Sequence, residues 1–334
     1  EQVEKAGLSW AYAMSWSYEA KDFFNIVIPR IVGGGSQENV EKRNTIAQLL
    51  IQNAKENSKP SPVKKGKVAI PGYWSSMPFT SGGAYIGAAF FFLYILSLIL
   101  MKKDLALAFG IAFFLIFLLS LGEHAEWFNR PLYDYLPLFD KFRAPSSAVS
   151  ILPAFIAIAI GIGINKIIQE DAVENLNKKF YIAIGIAVGV LVLILLAGMS
   201  TFTFLSANDA NYPFEIQSIL KEGRLDLFKS DSYRSIGFVL ATAFLVGMMI
   251  FKKIKHPVVF AAVLFLIFTL DMLPIDRRTV TAENFKNDNL YMQQFNPRPA
   301  DAQISSLEPK GRGYYRVLDL SVNTFNDAKP AYHH

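Results

Sequence analysis

The sequence predicts an all-α polytopic membrane protein of about six transmembrane helices, with an extracytoplasmic helical segment in front and a truncated, strand-containing domain behind. Three observations carry that reading. Of 334 residues, 52% are hydrophobic and only 18% charged, and the mean hydropathy is +0.28. A soluble domain carries about a quarter charged residues. The apolar residues also collect in nearly charge-free blocks, long enough to cross a hydrocarbon core of about 30 Å. Several blocks end in lysines, as expected where a span meets the headgroups. This composition excludes an intrinsically disordered chain, a disulfide-stapled secreted domain and a plain cytosolic enzyme.

The segment 1–83 opens with alternating aromatic and polar residues, among them Trp10, Tyr12, Trp16, Tyr18, Phe23 and Phe24. Trp and Tyr favour the headgroup zone, so residues 8–29 read as helices lying at or dipping into the interface. Gly33-Gly34-Gly35-Ser36 reads as a flexible linker. It lacks the lysine of a phosphate-binding loop, and no strand clearly feeds it. Residues 37–57 read as a soluble helix, with Ile46, Leu49, Leu50 and Ala54 at helical spacing, and residues 58–72 as a loop.

The membrane domain spans residues 84–275, with six candidate spans at 84–101, 105–122, 148–165, 180–205, 236–251 and 257–273. The first two form a hairpin closed by Lys102 and Lys103. The last two are near the lower length limit for a helix crossing. Lysines crowd the short connections: Lys102 and Lys103, then Lys166, Lys178 and Lys179, then Lys252, Lys253 and Lys255. Basic residues are sparser in the longer connections 123–147 and 206–235. The short connections therefore face the cytoplasm. Both ends of the chain and both long connections fall on the extracytoplasmic side. From 276 onward, Gly311-Arg312-Gly313 followed by Tyr314 to Leu320 reads as a turn leading into a strand. The chain starts at Glu1 without an initiator Met or signal peptide and stops at His334 inside this strand-rich stretch. It reads as an internal piece of a longer protein.

Cysteine is absent, which removes disulfides, thiolate metal sites and cysteine nucleophiles. There are four histidines, two of them at the C-terminus, and no metal-binding motif, so no metal ligand is assigned. The net charge of +5 sits beside the apolar blocks, which fits lipid anchoring rather than nucleic acid. The most informative stretch is Phe139-Asp140-Lys141-Phe142-Arg143. An ammonium and a guanidinium at the headgroup level suit a lipid-linked phosphate, with Arg clamping two oxygens and Lys adding point charge. Snorkelling to ordinary lipid phosphates is the plainer alternative. Glu19 and Asp22 would share a helix face, where paired carboxylates suit a base or a divalent cation, or simply a wetted interfacial surface. Glu123, His124 and Glu126 read as a solvated helix end. Asp271 reads as an interfacial ion-pair partner rather than a proton relay.

The ordered set Met14-Ser15-Trp16-Ser17-Tyr18-Glu19, Ile28-Pro29, Gly33-Gly34-Gly35-Ser36, Tyr73-Trp74, Pro78-Phe79-Thr80-Ser81-Gly82 and Phe139-to-Arg143 resembles the YfhO-type bacterial membrane proteins. Tyr315-Arg316-Val317 and Phe325-Asn326-Asp327-Ala328 extend the likeness. The resemblance implies a polytopic GT-C-type glycosyltransferase of the bacterial cytoplasmic membrane. Such an enzyme transfers a sugar from a polyprenyl-phosphate donor to a cell-envelope glycopolymer or glycolipid acceptor on the outer side. It implies that Lys141 and Arg143 hold the donor phosphate and that Trp16 and Tyr18 line the sugar site. Glu19 and Asp22 are weaker candidates for catalysis, because the family's acidic residues are expected in a loop upstream of Glu1. A lipid or oligosaccharide transporter or flippase, and a non-catalytic envelope assembly factor, are the competing classes.

Overall fold

The computed structural model describes residues 7–64, 66–169, 173–280, 285, 288–293, 296–306 and 320. The chain divides into two compact units, Glu1–Thr279 and Val280–His334. In the second, α11 (Asp288–Gln293) and α12 (Pro299–Ser306) are short helices. Asp301 caps α12 by accepting the backbone N–H of Arg298 at 2.8 Å. The strand expected around Tyr314–Leu320 and the family-like residues 315–317 and 325–328 lie outside the described residues.

The first unit is mostly helical. It opens with two short helices, α1 (Trp10–Met14) and α2 (Ala20–Phe23). A small domain follows: β1 (Glu38–Glu41), α3 (Thr45–Glu56), β2 (Val63–Lys64) and β3 (Lys67–Ile70). Then come α4 (Ala88–Leu100), α5 (Lys103–Ser120), α6 (Glu126–Tyr135), α7 (Leu152–Gln169), α8 (Val173–Thr201), α9 (Phe214–Ile250) and α10 (Pro257–Thr279). Among the described residues, five helical segments are long and apolar enough to cross a membrane: Lys103–Ser120, Pro145–Gln169, Leu176–Thr201, Phe214–Ile250 and Pro257–Thr279. Their outer faces stay apolar, with Leu107, Phe114, Ile158, Leu193, Phe244 and Phe265 exposed. An apolar belt of that extent is suited to lipid.

The first expected span, 84–101, is α4, and it differs from its neighbours. Its 13 residues reach only about 20 Å at 1.5 Å per residue. It is nevertheless the hub of the bundle, packing on α7, α8, α9 and α10 with Ala88, Ala89, Phe92, Leu93 and Leu96 all buried. Its start falls at Ala88 rather than Ala84 because Gly87 adopts φ +120°. The first two N–H groups of α4 are then satisfied from outside the helix. Ala88 donates to the Tyr85 hydroxyl at 3.1 Å and Ala89 to Asp271 at 3.2 Å. A carboxylate at a helix N-terminus meets both the orphan donors and the positive end of the dipole. Asp271 also pairs with Arg234 at 3.0 Å, so the ion pair expected of it exists and has its partner on α9.

The largest departure from the sequence reading is α9. Its 37 residues would extend about 55 Å, well beyond a hydrocarbon core of about 30 Å. The stretch 206–235, expected as an outer loop, is a 3₁₀ turn at Ala207–Asn211 followed by the charged first half of this helix. That half carries the small domain. Ile46, Ala47, Val68, Ile70 and Leu220 form a satellite core between α3, the sheet and α9. A Cβ on Gly223 would meet Ile46 Cγ1 at 2.3 Å, so α3 and α9 touch where no side chain intervenes.

The sheet corrects two further expectations. Residues 38–41 are a strand rather than the start of a helix, and 58–72 hold β2 and β3 rather than a plain loop. The order is β1-β3-β2, with Glu38 opposite Ile70 and Val40 opposite Val68, and Val63 opposite Val68 on the other side. The helix of this region starts at Thr45, where the Asn44 side chain accepts the Ala47 N–H. The Gly33–Ser36 run is not a flexible linker. Its glycines are buried and stitched to the chain after β3: Gly72 and Tyr73 both donate to the Gly35 carbonyl at 3.0 Å. Gly33, at φ +83°, comes so close to Gly72 that a Cβ would lie 2.0 Å from its carbonyl oxygen. Residues 23–32 are mostly buried against the bundle, with Ile28, Ile31 and Val32 fully covered.

Two buried ion pairs fasten these parts to α9. Arg224 gives NH1 to Asp209 (2.6 Å) and to the Phe204 carbonyl (2.9 Å), and NH2 to the Pro71 carbonyl (2.7 Å). Arg30 grips Asp231 with Nε (2.6 Å) and NH2 (2.8 Å), while the Ser235 hydroxyl donates to the Val27 carbonyl. Arg224 and Asp209 are almost wholly buried. Replacing Arg224 with Ala leaves Asp209 without its counter-ion inside the protein, at a cost of about 3–5 kcal/mol. Thermal unfolding in detergent micelles should show a large loss for R224A, while Glu222→Ala, one turn-edge away and exposed, stays within about 0.5 kcal/mol of wild type.

Candidate functional site

The residues singled out from the sequence gather at one end of the bundle. Segment 7–24 lies across the connection between α5 and α7. Tyr18 N–H donates to the Ser120 carbonyl, Leu8 N–H to the Asp140 carbonyl, Ala144 N–H to the Ala13 carbonyl and Ser146 N–H to the Trp16 carbonyl. The expected long loop 123–147 is thereby held as a series of short helices: 3₁₀ turns at Gly122–Ala125 and Phe139–Lys141, with α6 between them.

Arg143 sits in an aromatic setting. Its NH1 donates to the Tyr12 hydroxyl at 2.6 Å, and its guanidinium carbon lies 5.7 Å from the ring centroids of both Tyr12 and Trp16. That geometry combines a hydrogen bond with cation–π attraction and leaves an exposed guanidinium oriented by two rings. Trp16 is itself fixed. Its Nε1 donates to the Phe79 carbonyl at 3.2 Å, and its ring meets Phe79 edge to face at 5.1 Å. Lys141 is exposed and its ammonium lies 3.3 Å from Asp140. Leu138 (φ +69°) and Ala144 (φ +61°) bracket this motif in the left-handed region. For such side chains that conformation costs about 1 kcal/mol or more each, so the surrounding contacts impose the turn.

Glu19 and Asp22 also come together, at the start of α2, but in unequal environments. Asp22 is fully buried. It accepts from the Tyr73 hydroxyl (2.9 Å), the Ser75 hydroxyl (2.6 Å) and the Glu19 N–H (3.0 Å). Burial outweighs these donors and raises its pKa above the ordinary aspartate value. Glu19 is partly exposed and lies 2.8 Å from the Lys21 ammonium. Burial works to raise its pKa too, yet Lys21, Ser76 and Ser75 overcome that and hold it low. Two neighbouring carboxyls are thus pushed in opposite directions. Both oxygens of Asp22 are engaged by donors, and Lys21 pairs with Glu19. Among the described residues no three His, Asp or Glu side chains converge as a metal site. Glu123, His124 and Glu126 do not form a cluster of their own: the Glu123 N–H bonds the Ser17 hydroxyl, and Glu126 pairs loosely with Arg130 at 3.8 Å.

The chain 73–79 joins the two groups. Tyr73 and Ser75 hold Asp22, while Phe79 holds Trp16. Tyr18, expected to line the sugar site, is buried in the main core with its hydroxyl at the Ala84 backbone, so it presents no face for stacking. Tyr12, rather than Tyr18, is the tyrosine that meets Arg143. The pairs Arg30–Asp231 and Arg224–Asp209 were not anticipated. Their partners lie 201 and 15 residues apart, and the one local signal is the spacing of Arg224, Asp231 and Ser235 along a single helix face.

Comparison with family models, with curated proteins and with solved structures found no match to this chain.

The opposite pKa shifts of Asp22 and Asp209 predict opposite pH responses. Asp209 is buried, but Arg224 and Ser206 outweigh that burial and lower its pKa. A carboxyl raised on folding holds its proton more tightly in the folded state, so Asp22 costs stability as pH climbs from the free value of about 4 through the raised one. Asp209 contributes fully above about pH 4 and loses that contribution as pH falls through its lowered value. In thermal melts, the difference between wild type and Asp22→Asn should therefore shift against wild type as pH climbs above about 4. The difference between wild type and Asp209→Asn should shrink only on acidification.

Proposed function

We propose that this chain is part of a membrane glycosyltransferase that uses a polyprenyl-phosphate-linked sugar at the extracytoplasmic surface of a bacterial cytoplasmic membrane. The observation that carries the reading is the Arg143 guanidinium held by Tyr12 and Trp16 at the end of the bundle where segment 7–24 and the α5–α7 connection meet. A cation between aromatic rings, beside an apolar belt, matches a ligand that is anionic at the headgroup level and greasy below it. The lysine-rich connections 101–103, 166–178 and 251–256 alternate along the chain with the segments that build this end. That alternation supports placing the lysines in the cytoplasm and the site outside.

In the proposed reaction the bond between the sugar's anomeric carbon and the phosphate oxygen breaks as the acceptor oxygen bonds to that carbon. Arg143 and Lys141 offset the charge that develops on the departing phosphate. Trp16 offers its ring to the sugar. Glu19, ionised and partly exposed, is this chain's own candidate to take the acceptor's proton. Asp22, with both oxygens engaged, holds the 73–79 segment in place as a positioning residue.

One observation favours a second reading, a non-catalytic binding platform for an envelope lipid: the saturation of Asp22 and the pairing of Glu19 with Lys21 are also what a purely structural acid pair would show. Transfer from a polyprenyl-phosphate sugar in proteoliposomes separates the two. Arg143→Ala should lower kcat/KM by about 100-fold or more while insertion is unchanged, and Glu19→Gln should lower kcat with KM little altered. Donor binding that depends on Arg143 with no turnover in wild type selects the platform, and full transfer by R143A removes this site from either role. Because the chain has no cysteine, a single Cys at Ser146 reports sidedness. An impermeant maleimide should label it from outside intact cells, and labelling only after lysis overturns the assigned orientation.

A further inference from the structure

Where α9 and α10 end their apolar stretches, three guanidinium groups share two carboxylates. Arg30 takes both oxygens of Asp231. Arg234, one turn along α9, pairs with Asp271 at 3.0 Å and also donates to the Tyr85 hydroxyl and to the Asp271 carbonyl. Arg278 lies seven residues beyond Asp271, two turns along the same face of α10. Its NH1 is 3.7 Å from Asp231 Oδ2, the oxygen that already accepts Arg30 Nε at 2.6 Å. Its side chain is only 35% exposed, and it makes no hydrogen bond among the described residues. Arg30 and Arg234 both repel it, while Asp231 and Glu38 attract it. Glu38 is committed to the Gly35 N–H. A guanidinium carries five N–H donors, and those of Arg278 that face solvent are open to an anion.

We propose that Arg278, flanked by Arg30 and Arg234, binds the phosphate group of a phosphate ester. Arg30 NH1 and Arg234 Nε make no hydrogen bond among the described residues, so each neighbour has a donor to offer. A phosphate has enough peripheral oxygens to engage more than one guanidinium, and its charge offsets the mutual repulsion of the three. A carboxylate would reach one fork only and would sit beside Asp231. The site is built by residue 30, α9 and α10, none of which contributes to the Arg143 cage, so it stands independently of the glycosyl-transfer reading.

The same chemistry is available on a lipid headgroup and on a soluble ester, and two probes separate them. Sodium pyrophosphate is titrated calorimetrically into the protein in detergent micelles at low salt. Phosphatidylglycerol retention, against phosphatidylcholine, is read by native mass spectrometry after mixed nanodiscs. Wild type should bind at least one. Pyrophosphate binding assigns a soluble ester, and retention of phosphatidylglycerol alone assigns a headgroup. Arg278→Gln should weaken that binding about tenfold or more, and Arg278→Lys, which keeps charge but loses the fork, several-fold. Arg277→Gln should leave it unchanged. The proposal is overturned if wild type binds neither probe, if R278K binds as tightly as wild type, or if R277Q loses as much as R278Q. Binding abolished by R143A and kept in R278Q belongs to the aromatic cage and overturns it equally. Should R278Q fail to elute as a single species, R278K alone decides.

Discussion

A helix that outruns the bilayer has to find a use for its protruding half, and the rest of this structure depends on how α9 does so. Roughly its last 16 residues are apolar, and the preceding ones carry Arg224, Asp231 and Arg234 on faces that turn inward. In water these groups would be solvated at no cost. Here they are buried or half-buried, and each is met by an opposite charge from a different part of the chain: Asp209 after α8, Arg30 from the front segment, Asp271 from α10. Such pairs contribute little net stability over apolar packing, but losing one partner is expensive. They specify position more than they stabilise. The front segment can dock on α9 in one register only, the one that returns Arg30 to Asp231 and Ile46 to Gly223.

The same logic reaches α4. A helix too short to cross the hydrocarbon would expose its N-terminal N–H groups at depth, where each unsatisfied donor costs several kcal/mol. Asp271 and Tyr85 supply the missing acceptors, and Arg234 balances the carboxylate. Because Gly87 N–H also donates to the Ile26 carbonyl, the start of α4, the front segment and α10 meet at one ionic and hydrogen-bonded layer. The two candidate anion sites flank this arrangement from different elements, one on aromatic rings and one on a crowd of guanidiniums.

The unequal treatment of Glu19 and Asp22 shows how one tight turn separates two chemically similar groups. The capping position leaves Glu19 at the surface next to Lys21, and sends Asp22 inward to Tyr73 and Ser75. Tyr73 and Ser75 belong to the segment that also anchors Trp16 through Phe79, so the acid and the aromatic cage are coupled through ordinary backbone connectivity.

The apolar helices and their ends at lysine clusters were legible in the sequence, because hydrophobic length and interfacial preference act locally and leave a continuous trace. The reach of α9 was not, since a charged helix and a charged loop have the same composition and differ only in what covers them. Nor was the sheet: four residues such as Glu38–Glu41 become a strand when Lys67–Ile70 lies beside them. The glycine run reads as slack chain by composition, and only the backbone of Gly72 and Tyr73 makes it a packed joint. Tyr18 and Tyr12 are equivalent as letters, and tertiary packing alone decided which one was buried. Periodicity and hydropathy are properties of neighbours along the chain, whereas counter-ions, strand partners and close backbone approaches are supplied from far away in sequence.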